Sequence, residues 1–202
     1  MSLPKTVEVH KLTIPEFHAL EPFLDPDRRH ELLDGQILSM PIPGTPHSVA
    51  LSELNAQFSR QARHGLYVWL GGLRVTATSE LLPDLCLLER KPPRPDSPPA
   101  AAAKLVIEVS DTTFDRDTGE KLQAYQAAGV PEYWVVDVQG RRVLRHLAPD
   151  YRSETFAGSA PEGLLNAAPE GQFNRPPAAA PPLSPQAYPD ISIDVGALFT
   201  GL

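Results

Sequence analysis

Two spacings alternate along the chain. In TPHSVALSELNAQFSRQARHG, after a Thr45-Pro46 opening, apolar side chains recur at Val49, Leu51, Leu54 and Phe58, which predicts a helix from Thr45 that stops at Gly65. A second helical stretch lies within TTFDRDTGEKLQAYQAAGVPEYW and ends at Gly129, with Pro131 just beyond as the usual stop. Around these helices the pattern shortens to that of strands: LYVWLGGLRVTA gives one or two, LLPDLCLLE another and KLVIEV a third. EYWVVDVQGRRVLRHL reads as a strand pair turning at Gln139-Gly140. HELLDGQILSM, from His30 to Met40, sets Asp34-Gly35 between two short apolar runs, a hairpin signal. The second helix crosses between two buried strands, so the elements predict an α/β sandwich built on a mixed sheet flanked by helices. No internal repeat is visible.

Composition narrows this picture. With 202 residues and 42% apolar side chains, the chain can bury one good core, so a single domain over 1–202 with loop decorations is expected. The 23 prolines cluster in RKPPRPDSPPAAAA (residues 90–103) and NRPPAAAPPLSPQAYP (174–189), stretches that cannot be helix interiors or central strands and are expected to be peripheral loops. The single cysteine, Cys86, permits no disulfide within the chain and, set in an apolar run, reads as a small buried hydrophobe. No stretch reaches the ~20 apolar residues of a membrane helix, and the N-terminus lacks the apolar core of a signal peptide, so a cytoplasmic protein without a membrane partner is expected. A net charge of −7 argues against broad affinity for nucleic acid, which comes from many cations meeting phosphates; a local basic site stays compatible with it.

Against this background two acids stand out. Along KLVIEVS, alternation puts Lys104, Val106, Glu108 and Ser110 on one face and Leu105, Ile107 and Val109 on the other. LLPDLCLL likewise embeds one acid, Asp84, among five leucines. A carboxylate moved out of water costs several kcal/mol or more unless a cation or donors meet it. Two neighbouring strands with one acid each can present a carboxylate pair to one hard cation, Mg²⁺ or Mn²⁺, with water and a phosphate filling the other positions. The competing reading gives Asp84 a bend-capping role after Pro83 and gives Glu108 a buried Arg or Lys.

Pro83-Asp84 followed at a distance by Glu108-Val109-Ser110 resembles the PD-(D/E)XK nuclease superfamily. ELLDGQ, a His soon after it, PDL, LVIEVS, DTGEKLQAYQAAGVPEYWVVD and the closing PDISIDVGALF are together similar to one branch of it, the Uma-two family of restriction-endonuclease-like proteins, over roughly residues 30 to 199. The GEKLQAYQAAGVPEYWVVD block is the most specific part. The resemblance implies a restriction-endonuclease-like core, DNA as substrate and metal-dependent phosphodiester cleavage. It also implies that Asp84 and Glu108 bind the metal with help from the Val109 carbonyl, and that Glu31 and His47 line the same pocket.

The superfamily pattern calls for Lys two residues after the Glu, where this chain has Ser110. Lys104 lies about 13 Å away along the strand, too far to substitute. Lys121 lies seven residues after Phe114 and four before Tyr125, on one helical stripe, and could reach back to the Asp84/Glu108 pair as the missing ammonium; the alternative pairs it in solvent with Asp117. From spacing alone His47 reads as a helix-start or surface residue, and Glu31 is undecided between core and site. Asp137 reads as a turn residue, and Tyr125, Tyr133 and Trp134 as core rather than base-stacking platforms. Arg141, Arg142 and Arg145 read as a solvated strand edge, or else a phosphate-contacting strip. The residues thus favour a Mg²⁺-dependent deoxyribonuclease, with a non-catalytic binding or regulatory protein that keeps the fold as the rival. Oligomeric state is left open, a homodimer included.

Overall fold

The computed structural model describes residues 8–61, 65–93, 97–158 and 182–202. Helix α1 (Ile14–Leu20) precedes the hairpin β1 (Arg28–Leu33) and β2 (Gln36–Pro41). Its turn is Asp34-Gly35, with φ of 47° and 75°, the left-handed pair that a two-residue hairpin turn needs. Helix α2 (Thr45–Arg60) follows, then β3 (Tyr67–Trp69), β4 (Leu73–Thr76), β5 (Ser79–Leu81), β6 (Leu85–Leu88) and β7 (Ala103–Ser110). A broken helix leads to β8 (Glu132–Asp137), β9 (Arg142–Leu147) and β10 (Ser153–Ala157).

These strands form two sheets where the sequence suggested one. The smaller runs β2-β1-β5-β4 and is antiparallel; the larger runs β10-β9-β8-β7-β6-β3. In the larger sheet β7 and β8 pair in parallel and the other neighbours antiparallel. Two breaks assign the strands. Gly71-Gly72 divides LYVWLGGLRVTA between the sheets, and the Trp69 indole donates to the Gly72 carbonyl to close the corner (3.1 Å). Pro83, which has no N–H for a ladder, divides LLPDLCLLE into β5 of the small sheet and β6 of the large one.

The central strand β7 is buried except at Lys104, and its two faces differ. Leu105, Ile107 and Val109 pack in an apolar layer with Ala50, Leu54 and Phe58 of α2. A cavity left there by Phe58→Ala would cost about 3–5 kcal/mol. On the other face Val106 joins Tyr125, Tyr133, Leu73 and Leu81, so the small sheet and the second helical stretch cover the side that carries Glu108. Tyr125, Tyr133 and Trp134 are fully buried.

Three expectations are corrected. α2 ends at Arg60 rather than Gly65, and its inward stripe runs through His47, Ala50, Leu54, Gln57 and Phe58, leaving Val49 37% exposed. The second helix is interrupted: α3 (Phe114–Arg116), a π-helical turn (Asp117–Lys121) and α4 (Leu122–Ala127), with the weak helix former Gly119 inside the wide turn. The Pro-rich stretches are not wholly peripheral, since some of their described residues pack inward; residues 94–96 and 174–181 lie outside the described residues. Pro92, Pro98 and Ala100 are buried, Ala103 opens β7, and Leu183 is 1% exposed in the core. Prolines cannot donate to a ladder but can accept from one: the Arg74 N–H bonds the Pro98 carbonyl at 2.9 Å, which docks this segment on β4. Cys86 is buried as expected, and burial, with the nearby Glu108 charge, pushes its thiol up to about 12. Among the described residues no helix is long and apolar enough to cross a membrane.

Candidate active site

The site forms where the two sheets separate. β6 and β7 pair up to Leu85 opposite Ile107; two residues further on, Val109 would face Pro83. The Val109 N–H that this gap frees is taken by the Asp84 side chain, at 2.8 Å from Oδ2. In a strand the N–H and C=O of one residue point to the same side, so the Val109 carbonyl faces the Asp84 side as well. His47, in the first turn of α2, reaches the same Oδ2 at 3.0 Å, and Arg29 of β1 reaches Oδ1 at 3.1 Å. Burial works to raise the Asp84 pKa, but the His47 bond and charge, the Val109 N–H and Arg29 together hold it below the ordinary value. Asp84 is therefore a firmly ionised carboxylate inside the protein.

Glu108 is the opposite case. It is 2% exposed, and burial, which Lys121 only partly offsets, pushes its carboxyl up to about 8, with Asp84 and Asp117 adding to the shift. Its Oε1 accepts from Lys121 Nζ at 2.9 Å and from the Tyr125 hydroxyl at 3.1 Å. Lys121 is itself 4% exposed and lies 3.7 Å from Glu31 Oε2 and 4.0 Å from Asp117 Oδ1. Desolvation disfavours its charge, yet the three surrounding carboxylates win and its pKa is raised, so it stays an ammonium. The wide π-helical turn that ends at Lys121 keeps both Asp117 and Lys121 on the inward side.

Glu31, on β1, is fully buried; Arg116 bonds its Oε1 and the Leu82 N–H approaches Oε2 at 3.3 Å. Asp117 accepts from the Thr113 hydroxyl at 2.5 Å, and burial raises its pKa despite Lys121. Ser110 is buried and lies 3.5 Å from the Thr113 hydroxyl, on the face it shares with Glu108. Asp84, Glu108, Lys121, His47 and Val109 all line one cleft of about 360 Å³, with Glu31 behind it.

The structure thus brings Asp84, Glu108, Val109, Lys121 and His47 to one cleft, whereas Glu31, expected to line the same pocket, is fully buried beside Lys121, and Ser110 also lies outside the lining. His47 is buried against Asp84, not a surface or capping group, because α2 begins directly over the gap beside β6. Lys121 contacts both its rival partners, Glu108 closely and Asp117 at the edge of contact. Sequence reasoning missed Arg29 and Arg116 as counter-charges and Asp117 as a member of the site. The signal available was weak: Arg29 precedes Glu31 by two strand residues and so shares its face. The Arg141, Arg142 and Arg145 strip is corrected as a strand edge. β9 lies between β8 and β10, so it is no edge, and each guanidinium is committed: Arg141 to the Phe199 and Leu202 carbonyls, Arg142 to Asp137, Arg145 to Glu154. Asp137 does serve the turn, accepting the Gly140 N–H at 2.8 Å.

Whether these residues suit a divalent cation can be judged from the donors. Among the described residues no three His, Cys, Asp or Glu side chains are gathered as a metal cluster. Mg²⁺ does not ask for that; it is commonly held by one or two carboxylates, with water and substrate oxygens completing its shell. Asp84, Glu108 and the Val109 carbonyl are hard oxygen donors. The cleft lining holds four carboxyl groups (Asp84, Glu108, Asp111 and Asp117), and Glu108, raised mainly by burial, is the one whose charged form Lys121 only partly compensates. The residues fit the ion.

The two-sheet core with its helical crossover has a restriction-endonuclease-like fold. A crystal structure described as a "putative nuclease belonging to DUF820" from Anabaena variabilis superposes with a TM-score of 0.65 at 18% identity, over 94% of this chain and 98% of that one. The chain belongs to the Uma2 family, described as "Putative restriction endonuclease", whose model matches residues 14–173. No curated protein matches the chain.

Proposed function

We propose that the protein is a metal-dependent endonuclease that hydrolyses DNA phosphodiester bonds with Mg²⁺ or Mn²⁺. The observation that carries this reading is Lys121: a buried ammonium, 2.9 Å from Glu108, in a chain that has Ser110 at the position of the superfamily's strand lysine. A divalent cation between Asp84 and Glu108 would supply charge that offsets the phosphate and acidifies water. Asp84, held ionised by His47 and Arg29, would be one ligand of the ion. Glu108, once its proton is released to water, and the Val109 carbonyl would be the further oxygen donors to such an ion. Lys121 keeps its proton and turns one N–H toward a phosphoryl oxygen, where a fixed ammonium stabilises charge that grows as the bond to the leaving oxygen breaks. Glu31 and Asp117 anchor Lys121 from behind, so little reorganisation accompanies that step.

The test is cleavage of single-stranded, duplex and branched DNA with Mg²⁺ or Mn²⁺, with EDTA and Asp84→Asn as controls. Cleavage abolished by both controls supports the reading. Absence of cleavage on every form with either ion would leave a nuclease-fold binding protein as the better description.

A further inference from the structure

We infer that Ile42 is an apolar wedge and that the strand entering the cleft is taken unpaired, one nucleotide at a time. This deepens the reading above and rests on it. The two walls of the cleft differ in kind. One, after β7, is polar, with Asp111, Thr112, Thr113 and Arg116. The other is the stretch Met40-Pro41-Ile42-Pro43, where β2 ends and the chain crosses to α2, and it offers no charge and no side-chain donor.

A lone exposed isoleucine on a protein surface needs no explanation. This one is 63% exposed on the rim of the cleft that holds Asp84, Glu108 and Lys121, between two prolines that stiffen the backbone on either side. Its exposure is therefore held in place before any ligand arrives. Ile, Met and Pro are the side chains that proteins insert between base steps to unstack them, and a base taken out of a stack is received against apolar walls.

Charge points the same way. Binding an intact duplex leans on cations free to meet phosphates on both strands. Every Lys, Arg and His side chain that lines this cleft is already held by a carboxyl group: Arg29 and His47 by Asp84, Arg116 by Glu31, Lys121 by Glu108. At about 360 Å³ the cleft lies at the low end of small-ligand pockets, on the order of one nucleotide. One unstacked nucleotide, its base on the Met40–Pro43 wall and its phosphate at Lys121, matches a site that is apolar on one side and polar on the other.

The experiment compares the parent with Ile42→Ser and Ile42→Phe on one sequence presented as a single strand, an intact duplex and a duplex with a central mismatch. Cleavage is followed with Mg²⁺, and binding with Ca²⁺ by the fluorescence of a 2-aminopurine beside the mismatch. The expected order of kcat/KM is single strand, then mismatch, then duplex, with at least tenfold between the ends. Ile42→Ser should widen the gap between single strand and mismatch severalfold and abolish the fluorescence rise, and Ile42→Phe should keep the rise. Duplex cleaved as fast as single strand, or an unchanged ratio in Ile42→Ser, overturns the wedge while leaving the nuclease reading intact. If no form is cleaved, the nuclease reading fails and the fluorescence still decides: a rise lost in Ile42→Ser supports the wedge, and no rise with the parent overturns it.

Discussion

The two ends of β7 each carry a lysine–glutamate pair at nearly the same distance. At the start of the strand Lys104 lies 2.8 Å from Glu89; near its end Glu108 lies 2.9 Å from Lys121. The first pair is open to water, with Glu89 67% exposed, and its two groups shift only in the mutually favourable directions, Glu89 down and Lys104 up. In the second both partners are nearly sealed, and Glu108 is driven up to about 8 although an ammonium touches it. Contact distance therefore says little about what a pair does. Burial decides, because desolvation outweighs the attraction of a single partner. A protein gains little stability from a carboxylate held so uncomfortably; such sites are where function is paid for in stability.

The comparison breaks most clearly at Lys121. Lys121→Ala should lower the cleavage rate about a hundredfold, the scale of losing one electrostatic stabiliser, with Mn²⁺ binding nearly unchanged. Lys121→Arg should also be impaired, because a planar guanidinium does not reproduce a compact ammonium in a closed pocket. Ser110→Lys in the Lys121→Ala background restores an amine on the Glu108 face and should recover part of the rate. Cleavage by Lys121→Ala at the parent rate would make Lys121 an ordinary structural lysine.

A smaller effect concerns stability against pH. The folded state holds the Glu108 proton up to about 8, whereas the unfolded chain releases it near the ordinary value of 4.5. The folded state thus binds more protons in that window, and this group's contribution falls as pH rises through it. Glu108→Gln has no such titration. Its melting temperature relative to the parent should therefore climb between about pH 5 and 8 without metal, by thermal denaturation at each pH. A flat difference would show that Glu108 is not perturbed.

The smallest effect is expected at the exposed end. Lys104→Ala should change neither melting temperature nor cleavage measurably, since exposed pairs in water contribute little. A loss comparable to that of Lys121→Ala would erase the contrast between the two ends.

Much of this contrast was legible from the strand alone. Alternation along KLVIEVS put Lys104 and Glu108 on one face, and the faces of β7 divide accordingly. The Asp34-Gly35 hairpin was legible because its turn depends on two adjacent residues. What local pattern could not show was which distant side chain would meet each acid. His47 reaches Asp84 only because α2 starts over the gap beside β6, and Arg116 reaches Glu31 across 85 residues of chain. The π-helical turn was hidden because its apolar spacing resembles that of an unbroken helix, and the buried prolines because packing through carbonyls leaves no periodicity to read.

The proposed function requires the buried end of β7 to hold a hard divalent cation with Asp84 and Glu108 as ligands. Calorimetric titration of the parent, Asp84→Ala and Glu108→Ala with Mn²⁺ at pH 7.5 addresses it directly. The predicted result is saturable binding of one ion by the parent and none by either variant, with both variants still folded by circular dichroism. Binding of equal strength in all three proteins would contradict the claim and place any metal elsewhere on the molecule.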